Sequence, residues 1–158
     1  MIVLPDANLG RAVLAIRWGC FTNSGQVCSS VKRLYLHESI KESFTKKLVE
    51  STKQLKQDNP SKIGVDIGAM VNEHQMNKVI KMIEIAREEE VTIICSGRRN
   101  LALKGYFVEP TIIDNCHNDM KYVQEEIFGP VLVIIPFRTT KEAVKILNNN
   151  PLGLMANI

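Results

Sequence analysis

A chain of 158 residues has the length of one globular domain and can bury about 70% of the surface that its unfolded form exposes. Its hydrophobic content of 45% and charged content of 23% are ordinary for a globular protein, and no apolar run approaches the roughly 20 residues that span a bilayer. The net charge of +3 comes from basic residues spread along the chain without interleaved aromatic residues, which argues against nucleic-acid binding. We interpret the basic pairs, such as Lys32 and Arg33, as solvated surface.

The four cysteines, Cys20, Cys28, Cys95 and Cys116, follow no CxxC spacing and no regular framework. Neither a metal site nor a disulfide scaffold is therefore predicted. Free thiols suit a reducing compartment, so we expect the protein to be cytoplasmic.

The first third of the chain alternates between helical and extended patterns. Residues 2–4 are typical of the end of a strand, and an apolar stripe predicts a helix from about residue 9 to residue 19. We expect Trp18, near the end of that helix, to pack into the core. The β-branched and aromatic run at residues 31–36 predicts a strand.

A second helix is predicted by the spacing of Ser39 and Glu42, which is typical of a capping box. It should run to about residue 56, because Pro60 and the glycines that follow cannot continue a helix. Residues 57–69 are therefore predicted to form a loop.

The clearest helix follows the capping signature of Asn72 and Gln75, with a long apolar stripe after it. The apolar run at residues 91–95 predicts a parallel strand covered on both faces. Residues 106–113 predict a further extended segment, in which Pro110 should lie at an edge or bulge because proline lacks a donor.

The last third contains the most β-prone run, at residues 131–135, and a short helix through Leu147 that Thr139 and Glu142 should cap. The predicted order, α-β-α-α-β-β-β-α, favours an α/β architecture in which helices cover a largely parallel sheet.

The most distinctive chemistry lies between the first helix and the first strand that follows it. Residues 21–30 read F-T-N-S-G-Q-V-C-S-S and place Cys28 among small, flexible and amide-bearing residues. A cysteine on such a connection can be exposed while its backbone is held at both ends, which suits a nucleophile. The alternative is a small buried hydrophobic residue, the usual state of a lone intracellular cysteine.

Three segments, in chain order, resemble motifs of the aldehyde dehydrogenase superfamily. They are N-S-G-Q-V-C at residues 23–28, G-Y-F-V-E-P-T at residues 105–111 and E-E-I-F-G-P-V at residues 125–131. The resemblance implies part of that family's catalytic-domain fold. It also implies that the chain is part of an NAD(P)-dependent enzyme that oxidises an aldehyde to a carboxylic acid.

The resemblance further implies the roles of three residues. Cys28 would be the nucleophile, forming a thiohemiacetal and then a thioester, and its own N–H would help to hold the oxyanion. Glu126 would accept hydrogen bonds from the nicotinamide ribose of NAD or NADP, and Phe128 would pack beside the ribose and ring. Without the resemblance, Glu125 and Glu126 would be interpreted as an exposed acidic pair.

Other motif residues are expected to act structurally. Asn23 and Gln26 should tie down the loop by hydrogen bonds, and Gly25 should let the backbone come close to the substrate. The segment at residues 110–111 should be structural as well.

Several parts of the family's apparatus have no counterpart among these residues. They are the general-base glutamate of an E-L-G-G-K type segment, the oxyanion asparagine and the Gly-rich cofactor-binding fold. Leu152 also stands where the family pattern commonly has an aromatic residue. We therefore expect residues 1–158 to be one partial catalytic domain without a dinucleotide-binding domain and without activity when isolated. The full-length enzyme would bind a small aldehyde and form a homo-oligomer, with no nucleic-acid or membrane partner.

Two alternatives stay open at this point. The chain could be a thiol hydrolase in which His37, His74 or His117 serves as the base for Cys28. It could instead be a non-catalytic module that exposes apolar surface and packs against a complementary chain.

Overall fold

A computed structural model describes all of residues 1–158 and contains one mixed sheet flanked by helices. The elements are β1 (Ile2–Val3), α1 (Leu9–Phe21), β2 (Arg33–His37), α2 (Glu38–Lys53), α3 (Glu73–Arg87), β3 (Thr92–Cys95), β4 (Thr111–Asp114), α4 (Lys121–Gln124), β5 (Val131–Phe137) and α5 (Thr140–Asn148). The predicted order is confirmed, β1 agrees with the strand end expected at residues 2–4, and the short α4 is added. None of the helices has the length and apolar character that a membrane crossing demands.

The strands lie in the order β1-β2-β5-β4-β3, and only β3 runs antiparallel to its neighbour. β5 is central, and nearly all of its residues are buried. Because successive side chains of a strand point to opposite faces, a strand covered on both sides needs this continuous apolar pattern. The predicted α/β fold with a largely parallel sheet is confirmed.

Two hydrophobic cores lie on the two faces of the sheet. Val133 and Ile135 of β5 pack with α3 and α5 in one core. Ile134 packs with Ile16 of α1 and Phe44 of α2 in the other. The molecule therefore has three layers, with α1 and α2 on one face and α3 to α5 on the other.

The prediction for β3 is wrong in its direction and its coverage. β3 is an edge strand antiparallel to β4, and Thr92 is exposed while only Cys95 is fully buried. Pro110 was expected at an edge or bulge of an extended segment, but it lies outside the strand. It directly precedes β4, and the next residue, Thr111, donates its N–H to the carbonyl of Pro130 at 2.9 Å, so the ladder begins intact.

The predicted capping box of α2 is also wrong. α2 begins at Glu38, one residue before the expected cap, and His37 is the N-cap residue, whose Nδ1 accepts the Ser39 N–H at 3.2 Å. The caps of α3 and α5 are confirmed as predicted, with Asn72 and Thr139 as the N-cap residues.

Trp18 does not pack into the core as expected, since it is 74% exposed. Ile16 and Cys20 are fully buried on α1. Because helix residues two apart do not share a face, Trp18 must point away from the side that these two residues bury.

Candidate functional site

Cys28 lies in the loop that leads into β2, and its thiol is exposed. The other three cysteines, Cys20, Cys95 and Cys116, are buried. Burial raises the pKa of Cys20 to about 11 and that of Cys116 to about 12, because an apolar environment disfavours the thiolate. Cys28 is therefore the one thiol that a dissolved electrophile can reach without unfolding the chain.

The loop begins with three consecutive residues in the left-handed region of backbone space. The φ angles are 52° at Asn23, 58° at Ser24 and 68° at Gly25. This conformation costs a residue with a side chain roughly 1–2 kcal/mol, so it persists only where other contacts impose it. One such contact is made by Ser24, whose hydroxyl donates to the carbonyl of Gly68 at 2.9 Å.

Hydrogen bonds tie down the loop before Cys28, as the sequence predicts. The side-chain amides of Asn23 and Gln26 each donate to the other residue's carbonyl, both at 3.2 Å. The Gln26 Oε1 also accepts the Val71 N–H at 2.9 Å. The two amide side chains thus hold the turn itself and attach it to the segment that precedes α3.

A second anchor follows Cys28. The Ser30 hydroxyl donates to the carbonyls of Gly19 and Cys20, at 2.9 and 3.1 Å, and so satisfies acceptors at the end of α1. Between the two anchors, the N–H of Cys28 donates to no acceptor in the protein. That N–H is therefore free to donate to an oxygen atom beside the Cys28 sulfur.

The segment at residues 125–131 forms a turn at the amino end of β5, next to the Cys28 loop. Glu126 is exposed and lines, together with Cys28, a cavity of about 470 Å³. Phe128 is half-buried and does not line that cavity, although it lies in the same turn. Its carbonyl accepts a hydrogen bond from Gln75 Nε2 at 3.0 Å, which attaches the turn to α3.

The two segments touch through their glycines. A Cβ atom placed on Gly25 would lie 2.2 Å from the carbonyl oxygen of Gly129, a distance that no real side chain could occupy. A Cβ atom on Gly129 would lie 2.5 Å from a methyl group of Val79 in α3. Both glycines therefore permit a close approach of backbones as well as a turn.

Lys32 also belongs to the site. The sequence did not predict this, because Lys32 was interpreted as part of the solvated surface. Its Nζ donates to the carbonyls of Gly25 at 2.6 Å and of Gly129 at 2.5 Å. Burial lowers the pKa of Lys32, although the nearby Cys20 and Glu126 oppose that shift. Lys32 and the neighbouring Arg33 form a basic pair of the kind that is common on protein surfaces. No residue near them in the sequence indicates a different environment for Lys32.

Residues 110–111, at the end of the segment at residues 105–111, have the structural role that was expected of them. The Thr111 hydroxyl donates to the Glu109 carbonyl at 2.8 Å and accepts the Gly97 N–H at 3.2 Å. Neither Pro110 nor Thr111 lines the cavity that contains Cys28.

The three histidines lie away from Cys28. His37 caps α2 and bonds through Nε2 to the carbonyl of Arg138 at 2.9 Å. His74 and His117 are exposed, and none of the three lines the Cys28 cavity. The arrangement thus provides no histidine base for a thiol hydrolase.

Comparison with known proteins gives a consistent result. The profile of the aldehyde dehydrogenase family matches residues 1–158. Betaine aldehyde dehydrogenase 1 of Oryza sativa subsp. japonica is 43% identical over 155 residues, which are 98% of this chain and 31% of that protein. A peroxisomal aminoaldehyde dehydrogenase 1 of Pisum sativum is 41% identical over 155 residues, with the same coverage.

A solved structure agrees with the sequence comparison. The NAD+ complex of an aldehyde dehydrogenase from Bacillus cereus superposes with a TM-score of 0.93 at 36% identity. The match covers 97% of this chain and 31% of that one. The chain thus spans about a third of the length of the relatives that it matches.

Proposed function

The chain belongs to the aldehyde dehydrogenase family, and from that premise we propose that it carries the nucleophile and part of the cofactor contact of an NAD(P)-dependent enzyme that oxidises aldehydes to carboxylic acids. The observation that supports this most directly is the placement of Cys28 and Glu126 in one cavity. The two residues are far apart in the chain, and each belongs to a different family motif. Exposure of Cys28, where the other three thiols are buried, is what a nucleophile requires.

In the proposed reaction, the Cys28 thiolate attacks the aldehyde carbon. A carbon–sulfur bond forms, and an electron pair of the carbonyl moves to its oxygen. The unengaged N–H of Cys28 donates to that oxygen and stabilises the thiohemiacetal as it forms. After oxidation, water attacks the thioester at the same carbon, the carbon–sulfur bond breaks, and the carboxylate leaves with Cys28 restored.

The residues of the Glu126 turn fit a nicotinamide cofactor. The exposed carboxylate of Glu126 offers two acceptor oxygens to ribose hydroxyls, and the half-buried Phe128, two residues further along the same turn, offers an apolar ring. When bound, NAD or NADP would accept the hydride. We propose Glu126 and Phe128 as the cofactor contacts of this chain and Cys28 as its catalytic residue.

We propose that residues 1–158 form one partial catalytic domain. The general base and the Gly-rich cofactor fold that the family motifs imply have no counterpart in these residues, so the isolated polypeptide should not oxidise aldehydes with NAD. The names of the relatives make betaine aldehyde and aminoaldehydes the first substrates to test in the longer protein, for which we also propose a homo-oligomer.

A cytoplasmic location is proposed from the four free cysteines, which suit a reducing compartment. The peroxisomal relative from pea makes organelle fractionation the appropriate test.

The proposal for Cys28 is tested by mapping alkylation with iodoacetamide by mass spectrometry. We expect Cys28 to react at least about tenfold faster than Cys20, Cys95 or Cys116, because only Cys28 is exposed. The Cys28→Ala variant should lose the fast phase and leave the slow one. Equal labelling of all four cysteines in the folded protein would contradict the proposal.

A further inference from the structure

Lys32 connects the two segments that form the candidate site. One of its acceptors, the Gly25 carbonyl, lies three residues before Cys28, and the other, the Gly129 carbonyl, lies three residues after Glu126. Because both hydrogen bonds come from one ammonium group, the Cys28 loop and the Glu126 turn are joined at a single atom. None of the three family motifs includes Lys32.

The geometry around this ammonium group leaves little freedom. The backbones of Gly25 and Gly129 touch, and a Cβ atom on Gly25 would lie 2.7 Å from Lys32 Nζ. Two carbonyl oxygens that point toward the same place repel each other, and a cation between them removes that repulsion. Hydrogen bonds from a charged donor are about twice as strong as neutral ones, so they can replace the water that the half-buried ammonium group loses.

Resting on the proposed function, we propose that Lys32 is a positioning residue that fixes the Cys28 loop against the Glu126 turn by holding the carbonyls of Gly25 and Gly129. Lys32 acts by holding the left-handed turn that ends at Gly25. That turn sets the direction of the Cys28 N–H. Displacement of a reacting group by about 1 Å can lower the rate of a reaction roughly a hundredfold, so such a clamp matters for chemistry.

The test compares two electrophiles on Lys32→Met, which removes the donors and keeps a long side chain. Iodoacetamide measures access to the Cys28 thiol. Propanal forms a reversible thiohemiacetal that protects Cys28 from alkylation, and its stability depends on the orientation of the Cys28 N–H. The matched control is Lys47→Met, because Lys47 is exposed on α2 and makes no side-chain hydrogen bond.

In Lys32→Met we expect the propanal concentration that halves the alkylation rate to rise at least about fivefold. The alkylation rate without propanal should change less than about twofold, and Lys47→Met should match the wild type in both measurements. If Lys32 only stabilised the fold, Lys32→Met would lower the free energy of unfolding and leave the protection of Cys28 by propanal unchanged. Unchanged protection in folded Lys32→Met would overturn the inference even if Cys28 is selectively labelled in the wild type. Failure of that wild-type selectivity would instead contradict the proposed function.

A second measurement applies if Lys32→Met does not fold. In wild-type protein labelled with ¹⁵N-lysine, the Lys32 ammonium protons should exchange slowly enough to give a signal with a nuclear Overhauser contact to the α-protons of Gly129. If every lysine ammonium signal is averaged by fast exchange with water, the clamp does not exist.

Discussion

At the scale of single residues, Gly25 shows how two separate constraints can fall on one position. Its φ of 68° favours glycine over any residue with a side chain, and the adjacent Gly129 carbonyl leaves no room for a Cβ atom. Gly64 shares the first constraint, with a φ of 80°, but has no atom within 4 Å of the position that a Cβ atom would take. A substitution at Gly64 therefore tests backbone strain alone, whereas the same substitution at Gly25 tests backbone strain together with steric contact.

We predict that Gly25→Ala lowers the free energy of unfolding by roughly 1–3 kcal/mol more than Gly64→Ala does. Both variants incur the left-handed strain of about 1 kcal/mol, and only Gly25→Ala must also push two backbone segments apart. Urea denaturation of the two variants measures the difference. Equal losses of stability would show that the contact between Gly25 and Gly129 is not maintained in solution.

At the scale of elements, the start of α2 shows why a capping motif in the sequence is not sufficient. The His37 ring accepts the Ser39 N–H through Nδ1 and bonds to the Arg138 carbonyl through Nε2. Nε2 must therefore carry the proton. The ring also packs edge to face against Phe137, with 5.3 Å between centroids. The neighbouring β5 thus makes His37 a better cap than Ser39.

We predict that His37→Ala lowers the free energy of unfolding by about 1 kcal/mol, the usual effect of losing an N-cap. Thermal or urea unfolding measures the loss. His74→Ala is the matched control, since His74 is exposed on α3 and should change stability by less than about 0.5 kcal/mol. The alkylation rate of Cys28 should be the same in both variants, and a large fall in either would revive the histidine-dependent hydrolase.

At the scale of the whole molecule, the buried thiols make stability depend on alkaline pH. Burial raises the pKa of Cys20 from 9.0 to about 11 and that of Cys116 from 9.0 to about 12. The unfolded chain therefore loses these protons at a lower pH than the folded chain does. The stability that the two thiols contribute is fully present below pH 9.0 and is lost as the pH rises toward their folded pKa values.

Between about pH 8 and pH 10, each of the two thiols should lower the free energy of unfolding by about 1.4 kcal/mol. Lys32 acts in the opposite direction, because burial lowers its pKa. Urea unfolding of Cys20→Ala should show a pH-dependent decline that is smaller by that amount. Identical declines in Cys20→Ala and the wild type would contradict the assignment.

Much of the fold could be predicted from the sequence because periodicity reports which face of an element is buried. The stripe of α3 and the continuous apolar run of β5 led to correct elements, whereas Trp18 was wrongly placed in the core because a single large aromatic residue is usually buried. The direction of β3 was not readable, because a short apolar run is the same whether its partner strand is parallel or antiparallel.

The sequence by itself determined most of the helices and strands and the family motifs, because these depend on side-chain patterns over a few neighbouring residues. Only the tertiary structure decided that β5 lies beside β2, with Arg33 opposite Val133. That pairing brings the Cys28 loop and the Glu126 turn together at the amino ends of two adjacent parallel strands, whereas ligands of open α/β sheets usually bind at the carboxyl ends. The half-buried position of Lys32 follows from the same pairing. No local pattern encodes it, because the Lys32 acceptor at Gly129 lies 97 residues further along the chain.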